Sequence, residues 1–102
     1  MNGAPSVTAG DRTFKYAEVR YGKNGPGNRG IRIWEDGVQG DHEYRLDPNP
    51  HLSHGYEKNK PLFYLQLAQA VADDVVAGGA WPAFGTTFHV EQADEDYTLV
   101  AP

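Results

Sequence analysis

Three histidines lie close together in the sequence, ahead of the longest apolar segment of the chain. These are His42, His51 and His54, and several carboxylates are interspersed with them. Neutral imidazole and carboxylate are the donors that zinc and iron take in proteins, and a catalytic zinc commonly has three protein ligands. The first chemistry that the residue types suggest is therefore a divalent metal site, which would make the protein a metal-dependent enzyme.

The local sequence does not fix the geometry that such a site needs. Two residues separate His51 from His54, but Pro48, Pro50 and Gly55 place this segment in a loop, where spacing does not determine which side chains meet. No HExxH pattern occurs. The alternative is that these histidines lie at the surface of a loop and titrate near neutrality.

Nucleophilic catalysis has little support in the sequence. The chain has no cysteine, and neither Ser6 nor Ser53 lies in a G-x-S-x-G motif. No reaction class can be built from named residues in named roles. The sequence therefore favours binding over catalysis, with no cofactor other than the divalent metal considered above.

A glycine-rich segment, residues 25–30, formally matches G-x-G-x-x-G. In dinucleotide-binding folds this motif opens a helix, whereas here a strand is predicted after it, so the motif reflects glycine content only. The same segment has a more specific interpretation as the tip of a basic hairpin. Its cations and nearby indole could bind phosphates and stack on bases, or dock on another protein. The residues concerned are Arg20, Lys23, Arg29, Arg32 and Trp34.

Charge is unevenly distributed along the chain. Residues up to Ile33 include six basic and two acidic residues, whereas the remainder includes three basic and twelve acidic ones. The net charge of −5 counts against nucleic acid as the partner. An acidic turn at Asp94, Glu95 and Asp96 is a second candidate contact region, suited to a basic partner.

The element that must organise these residues is a helix predicted over residues 59–79. Asn59 can cap it, Pro61 fits its first turn, and Gly78 and Gly79 end it. It is apolar around most of its circumference, so we expect most of it to be covered. Aromatic and β-branched content predicts a strand at residues 13–21, although its alternation is imperfect. Further strands are predicted at residues 30–35, 86–91 and 97–100, with a short additional strand at 43–46. Trp81 and Phe84 are expected to plug one end of the core.

These elements predict one α+β domain over residues 11–102, preceded by a flexible lead-in over residues 1–10. The expected architecture is a single antiparallel sheet of about four to five strands packed on one central helix, in the order β-β-(β)-α-β-β. The length of 102 residues allows one hydrophobic core. The sequence shows no signal peptide and no apolar run long enough to span a membrane, so we expect a cytoplasmic protein.

The sequence thus favours a small, non-catalytic protein-binding module, of the accessory, inhibitor or immunity type, that acts through a bipolar charged surface. Its expected partner is another protein, with the contact residues on the basic hairpin and the acidic turn. Two alternatives stay open, a nucleic-acid-binding protein that uses the hairpin and a metal-dependent enzyme that uses the three histidines. The sequence leaves the oligomeric state open.

Overall fold

The fold consists of one long helix and one sheet. The computed structural model describes residues 4–20, 29–48, 56–93 and 96–100, with side chains described for residues 4–20, 29–46 and 61–89. The elements are β1 (Ser6–Ala9), β2 (Arg12–Arg20), β3 (Arg29–Glu35), β4 (His42–Pro48), α1 (Tyr56–Gly78), β5 (Thr87–Ala93) and β6 (Asp96–Val100).

The strands follow one another across the sheet in chain order, β1-β2-β3-β4-β5-β6. Strands β1 to β4 form an antiparallel meander, α1 then carries the chain back, and β5 and β6 form a terminal antiparallel pair. The α+β class and the single helix packed on one sheet are confirmed. The long hairpin predicted around residues 22–30 is confirmed at its strands, since β2 and β3 pair without a bulge from Phe14↔Glu35 to Arg20↔Arg29.

One correction concerns the N-terminus, where β1 occupies part of the segment predicted to be a flexible lead-in. Val7 and Ala9 are buried and alternate with exposed Ser6 and Thr8, as expected of a strand with one covered face. A two-residue turn with Gly10 at φ 62° leads into β2. Four residues are too few for their alternation to stand out against the surrounding small residues in the sequence.

A second difference from the sequence-based expectation is that the described sheet has six strands and is mixed. Strands β4 and β5 run parallel, with Arg45 opposite Thr87 and Leu46 opposite Phe88. The 23-residue helix is about 35 Å long, longer than the ~23 Å of a seven-residue strand. It therefore returns the chain to the opposite end of the sheet, from which the next strand must run in the same direction as the last.

The core lies between α1 and the one face of the sheet that the helix covers. Alternate residues of β2, β3 and β4 point towards the helix, and the helix supplies residues spaced three to four apart. The largest fully buried side chains are Tyr44, Phe14, Phe63, Ile31, Ile33, Leu46, Leu67, Val71 and Val75.

Polar contacts fix the helix at its end and along one side. Gly79 adopts a φ of 74°, the left-handed conformation usual just past a helix, and its N–H donates to the carbonyl of Val75 at 2.5 Å. The amide of Gln69 donates to the Asp73 carboxylate at 2.9 Å and to the carbonyl of Thr8 at 2.8 Å. The second contact places a helix side chain on the backbone of the edge strand β1, which restrains strand and helix relative to each other.

Gly30 sets how closely β3 approaches β4. A Cβ atom at this position would collide with the carbonyl oxygen of Tyr44 and lie 2.9 Å from the Cα of Arg45, both backbone atoms that a rotamer change cannot move. We expect Gly30→Ala to lower the free energy of unfolding by about 1–3 kcal/mol, as other overpacking substitutions do. Urea unfolding followed by circular dichroism measures this change.

The matched control for that substitution is Gly78→Ala. A Cβ there meets nothing within 4 Å, and alanine is the better helix former, so stability should stay the same or rise by up to about 1 kcal/mol. Equal effects of the two substitutions would contradict the close approach at Gly30.

Candidate functional site

The helix covers only one face of the sheet, and we call the other side the open face. The strand register places the second set of alternating residues there, because Lys15 lies opposite Trp34, and Ala17 opposite Arg32. No described helix packs on this side. Its described members are Ser6, Thr8, Thr13, Lys15, Ala17, Val19, Gly30, Arg32, Trp34, Glu43, Arg45, Thr87 and His89.

A shallow depression of about 570 Å³ lies on the open face beside the turn that joins β3 to β4. The turn is held by the N–H of Val38, which donates to the carbonyl of Glu35 at 3.0 Å, and by Gly37 at φ 82°. This path brings turn residues alongside the sheet, where they form one wall. We call the whole feature the Trp34 depression; its lining residues are Ala17, Arg32, Trp34, Val38, Gln39, Gly40 and Asp41.

Ionised groups at this depression are arranged around one guanidinium. Arg32 donates to the Glu43 carboxylate at 3.1 Å, and its Nε lies 3.6 Å from a carboxylate oxygen of Asp41. The side chains of Arg32 and Asp41 are 48% and 56% exposed, so both remain accessible to a partner. Two carboxylates thus share the Arg32 guanidinium, and Arg45, two residues from Glu43 on the same face, is a further cation beside them.

The residues predicted from the sequence to form the basic hairpin site divide between the two faces of the sheet. Arg32 and Trp34 lie together on the open face. Arg29 lies on the other side, where it pairs at 3.3 Å with Glu18, a carboxylate that also accepts from the Tyr64 hydroxyl at 2.8 Å.

The remaining members of the predicted partner-binding set lie at or beyond the limits of the described chain. Arg20 is exposed at the end of β2, opposite Arg29 in the register, and Lys23 lies outside the described residues. In the acidic turn, Asp94 and Glu95 also lie outside them, while Asp96 begins β6. The role of this turn stays a prediction.

Of the three histidines proposed as metal ligands, only His42 is described. Its ring stacks on Trp81, with centroids 3.9 Å apart and an angle of 7° between the planes. Burial lowers the pKa of His42, partly offset by the nearby charge of Asp41. His51 and His54 lie outside the described residues, and within the described ones no three His, Cys, Asp or Glu side chains form a metal-binding group.

The segment after α1 closes one end of the core with Trp81 but not with Phe84. Trp81 packs edge-on against Phe14 at 5.8 Å, as expected from the sequence, and the buried Tyr44 hydroxyl donates to the carbonyl of Pro82 at 2.8 Å. Burial raises the pKa of Tyr44 to about 12, with the charge of Asp74 contributing.

The exposure of Phe84, in contrast, corrects the expectation that this side chain would plug the core. Its side chain is 68% exposed. It occupies the corner of a tight turn that is closed by the N–H of Thr86 donating to the carbonyl of Ala83 at 3.1 Å, with Gly85 at φ 84°. This position directs the ring away from the core.

The sequence-based prediction missed the turn residues Val38 and Asp41 as parts of the site. The sequence did hold one signal for this site, the isolated Val38 between Gly37 and Gly40. An apolar side chain in a turn does not reach the core, so it is available to line a surface site. Comparison with protein-family models, with curated proteins and with solved structures found no match to this chain. None of its described helical segments is long and apolar enough to cross a membrane.

The stacked histidine predicts a pH dependence of stability. Since the folded-state pKa of His42 is below its ordinary value of about 6.5, the neutral ring is favoured in the fold. The contribution of neutral His42 to the free energy of unfolding is complete above the ordinary pKa. It is lost as the pH falls through the folded-state pKa, because the unfolded chain takes up the proton first.

We therefore expect the free energy of unfolding to fall more steeply in the wild type than in His42→Phe as the pH is lowered from about 7.5 to 5. Phenylalanine keeps the stack on Trp81 but does not titrate, and all other titratable groups are common to both proteins. Urea unfolding at a series of pH values gives the difference, and parallel curves would contradict it.

Proposed function

We propose that this protein is a small, non-catalytic protein-binding module, of the accessory or inhibitor type, which docks its partner on the open face of the sheet. The observation that carries the proposal is the Trp34 depression on a sheet face that no described helix covers. The partly buried indole of Trp34 adds apolar contact area to this face, and the core on the other side of the sheet does not use it.

The composition of the depression supports protein binding. Trp and Arg are the residue types most enriched among the side chains that dominate binding energy, and Trp34 and Arg32 adjoin each other there. Charged groups surround them, in the usual arrangement of an apolar centre with a polar rim. Among the described residues that line the depression there is neither a histidine nor a hydroxyl or thiol nucleophile, which is why we prefer binding to catalysis.

Nucleic acid fits the surroundings of Trp34 less well, because the two cations nearest to it in the register, Lys15 and Arg32, pair with carboxylates. Lys15 lies 3.4 Å from Asp36, and Arg32 pairs with Glu43 and Asp41. Contacts to phosphate would have to break these pairs, and the net charge of −5 repels a polyanion.

Replacement of the indole tests the proposal. With the protein as bait in a lysate of its source cell, treated with nuclease, we expect a protein partner to be captured stoichiometrically by the wild type and lost with Trp34→Ala. With the purified partner, Kd should rise at least about 30-fold, equivalent to the ~2 kcal/mol of a binding hot spot. Titration calorimetry measures it.

Leu62→Ala is the matched control, since Leu62 is a 42% exposed apolar residue on α1, away from the open face. It should leave Kd unchanged. A partner retained by Trp34→Ala, or capture that disappears with nuclease, would reject docking of a protein on the open face. The second result would point to nucleic acid instead.

A further inference from the structure

We infer that the Trp34 depression takes a cationic side chain, arginine or lysine, from a basic segment of the partner protein. This inference rests on the proposed function and specifies the chemistry of the partner. It depends on two properties of the depression, the shape and composition of its walls and the exposed carboxylate at its rim.

The walls suit a side chain with an apolar stem. Ala17 and Val38 contribute aliphatic surface, and Val38 is 55% exposed although it lies in a polar turn. Trp34 contributes an indole, the ring that attracts cations most strongly when a guanidinium or ammonium group lies over its face. Long basic side chains bury their methylene groups along apolar surface while the charged end stays near water, and a shallow, open depression provides both environments. Its volume of about 570 Å³ lies within the range of ligand sites in proteins.

An exposed carboxylate at the rim, Asp41, can receive a cation. Arg32 is the cation that lines the depression, and it is shared between Glu43 at 3.1 Å and Asp41 at 3.6 Å. The longer of these two contacts belongs to Asp41, whose side chain is also the more exposed. A carboxylate accepts several hydrogen bonds, so Asp41 can receive a second guanidinium or an ammonium group without giving up the first.

Long-range electrostatics act in the same direction. The chain has a net charge of −5, which accelerates encounter with a basic surface and slows encounter with an acidic one. An anionic side chain in the depression would meet Arg32 but also the two carboxylates that already neutralise it.

The first test uses a single side chain as the probe. N-acetyl-arginine methylamide is titrated into ¹⁵N-labelled protein, and the indole N–H signal of Trp34 is followed by NMR; Trp81→Phe identifies which of the two indole signals this is. We expect a saturable shift of the Trp34 signal. The neutral isostere N-acetyl-citrulline methylamide, at matched ionic strength, should give no saturable shift. Equal shifts with both compounds, or no saturation with either, would overturn the inference.

The second test compares two aspartates of the same turn. Asp41→Asn removes the carboxylate of the depression, whereas Asp36→Asn removes one that is similarly exposed, at 53%, but pairs with Lys15 and does not line the depression. We expect Asp41→Asn to raise the Kd of both the arginine probe and the captured partner about two- to fivefold, which is the effect of losing an exposed ion pair. Asp36→Asn should change either by less than about twofold, because only the screened long-range charge is lost.

The two tests separate failure of this inference from failure of the proposed function. Suppose that partner binding depends on Trp34 but not on Asp41, and that the arginine titration does not saturate. This result would reject a cationic side chain as the occupant of the depression but would leave protein docking on the open face in place. If instead the arginine titration saturates but the partner binds Trp34→Ala as tightly as the wild type, the depression binds a cation and the open face is rejected as the docking surface. Displacement of the arginine probe by a single-stranded oligonucleotide at stoichiometric concentration would overturn the inference in favour of an anionic partner.

Discussion

The coverage of a six-stranded sheet by a single helix determines the arrangement of the rest of the molecule. A helix with its side chains is about 10–12 Å across, whereas six strands about 4.8 Å apart span roughly 24 Å between the two edges. Helix α1 packs most closely on β1 and β2, and the buried side chains lie beneath it. The buried side chains that the structure describes therefore belong to one face, and the alternation of each strand directs its remaining side chains to a face on which no described helix packs. The open face is a direct consequence of this arrangement.

Charges that are separated along the sequence are brought together by the antiparallel meander. Basic residues of β2 and β3 pair with carboxylates of neighbouring strands and turns, in the pairs Arg12–Glu35, Lys15–Asp36, Arg29–Glu18 and Arg32–Glu43. Three of these acids lie within or next to the β3–β4 connection, just after the point where the sequence changes from basic to acidic. The bipolar charge of the sequence is thus partly cancelled in space: on the open face two carboxylates share Arg32, and Lys15 and Arg45 lie on the two neighbouring strands.

The predictable parts of this structure are those whose periodicity extends over many residues. The apolar pattern of α1, the aromatic and β-branched content of β2 and the alternation of β3 identify the helix and the hairpin. In contrast, β1 is too short, and the direction of β5 depends on how the helix crosses the sheet. The same reasoning applies to the site. Residues two apart share a face of a strand, so Arg32 and Trp34 belong together, while Arg29 has the opposite parity and points to the helix side. These three residues were predicted to form one site because they are close in the sequence, but the alternation of the strand places Arg29 on the other face. Asp41 and Val38 reach the site only through the path of a turn that depends on the backbone conformation of its glycines.

Two exposed apolar side chains lie at the end of the sheet that holds the Trp34 depression. Val38 is exposed in the turn before β4, and Phe84, the most exposed large apolar side chain among the described residues, lies at the same end of the sheet, since the N–H of Gly85 donates to the carbonyl of Glu43 at 2.8 Å. A backbone hydrogen bond thus fixes the Phe84 loop beside the strand that carries a carboxylate of the Arg32 cluster. Exposed apolar side chains that are scattered singly need no explanation, whereas several at one end of a sheet, beside an exposed carboxylate, support the docking of an amphipathic, basic segment that we propose.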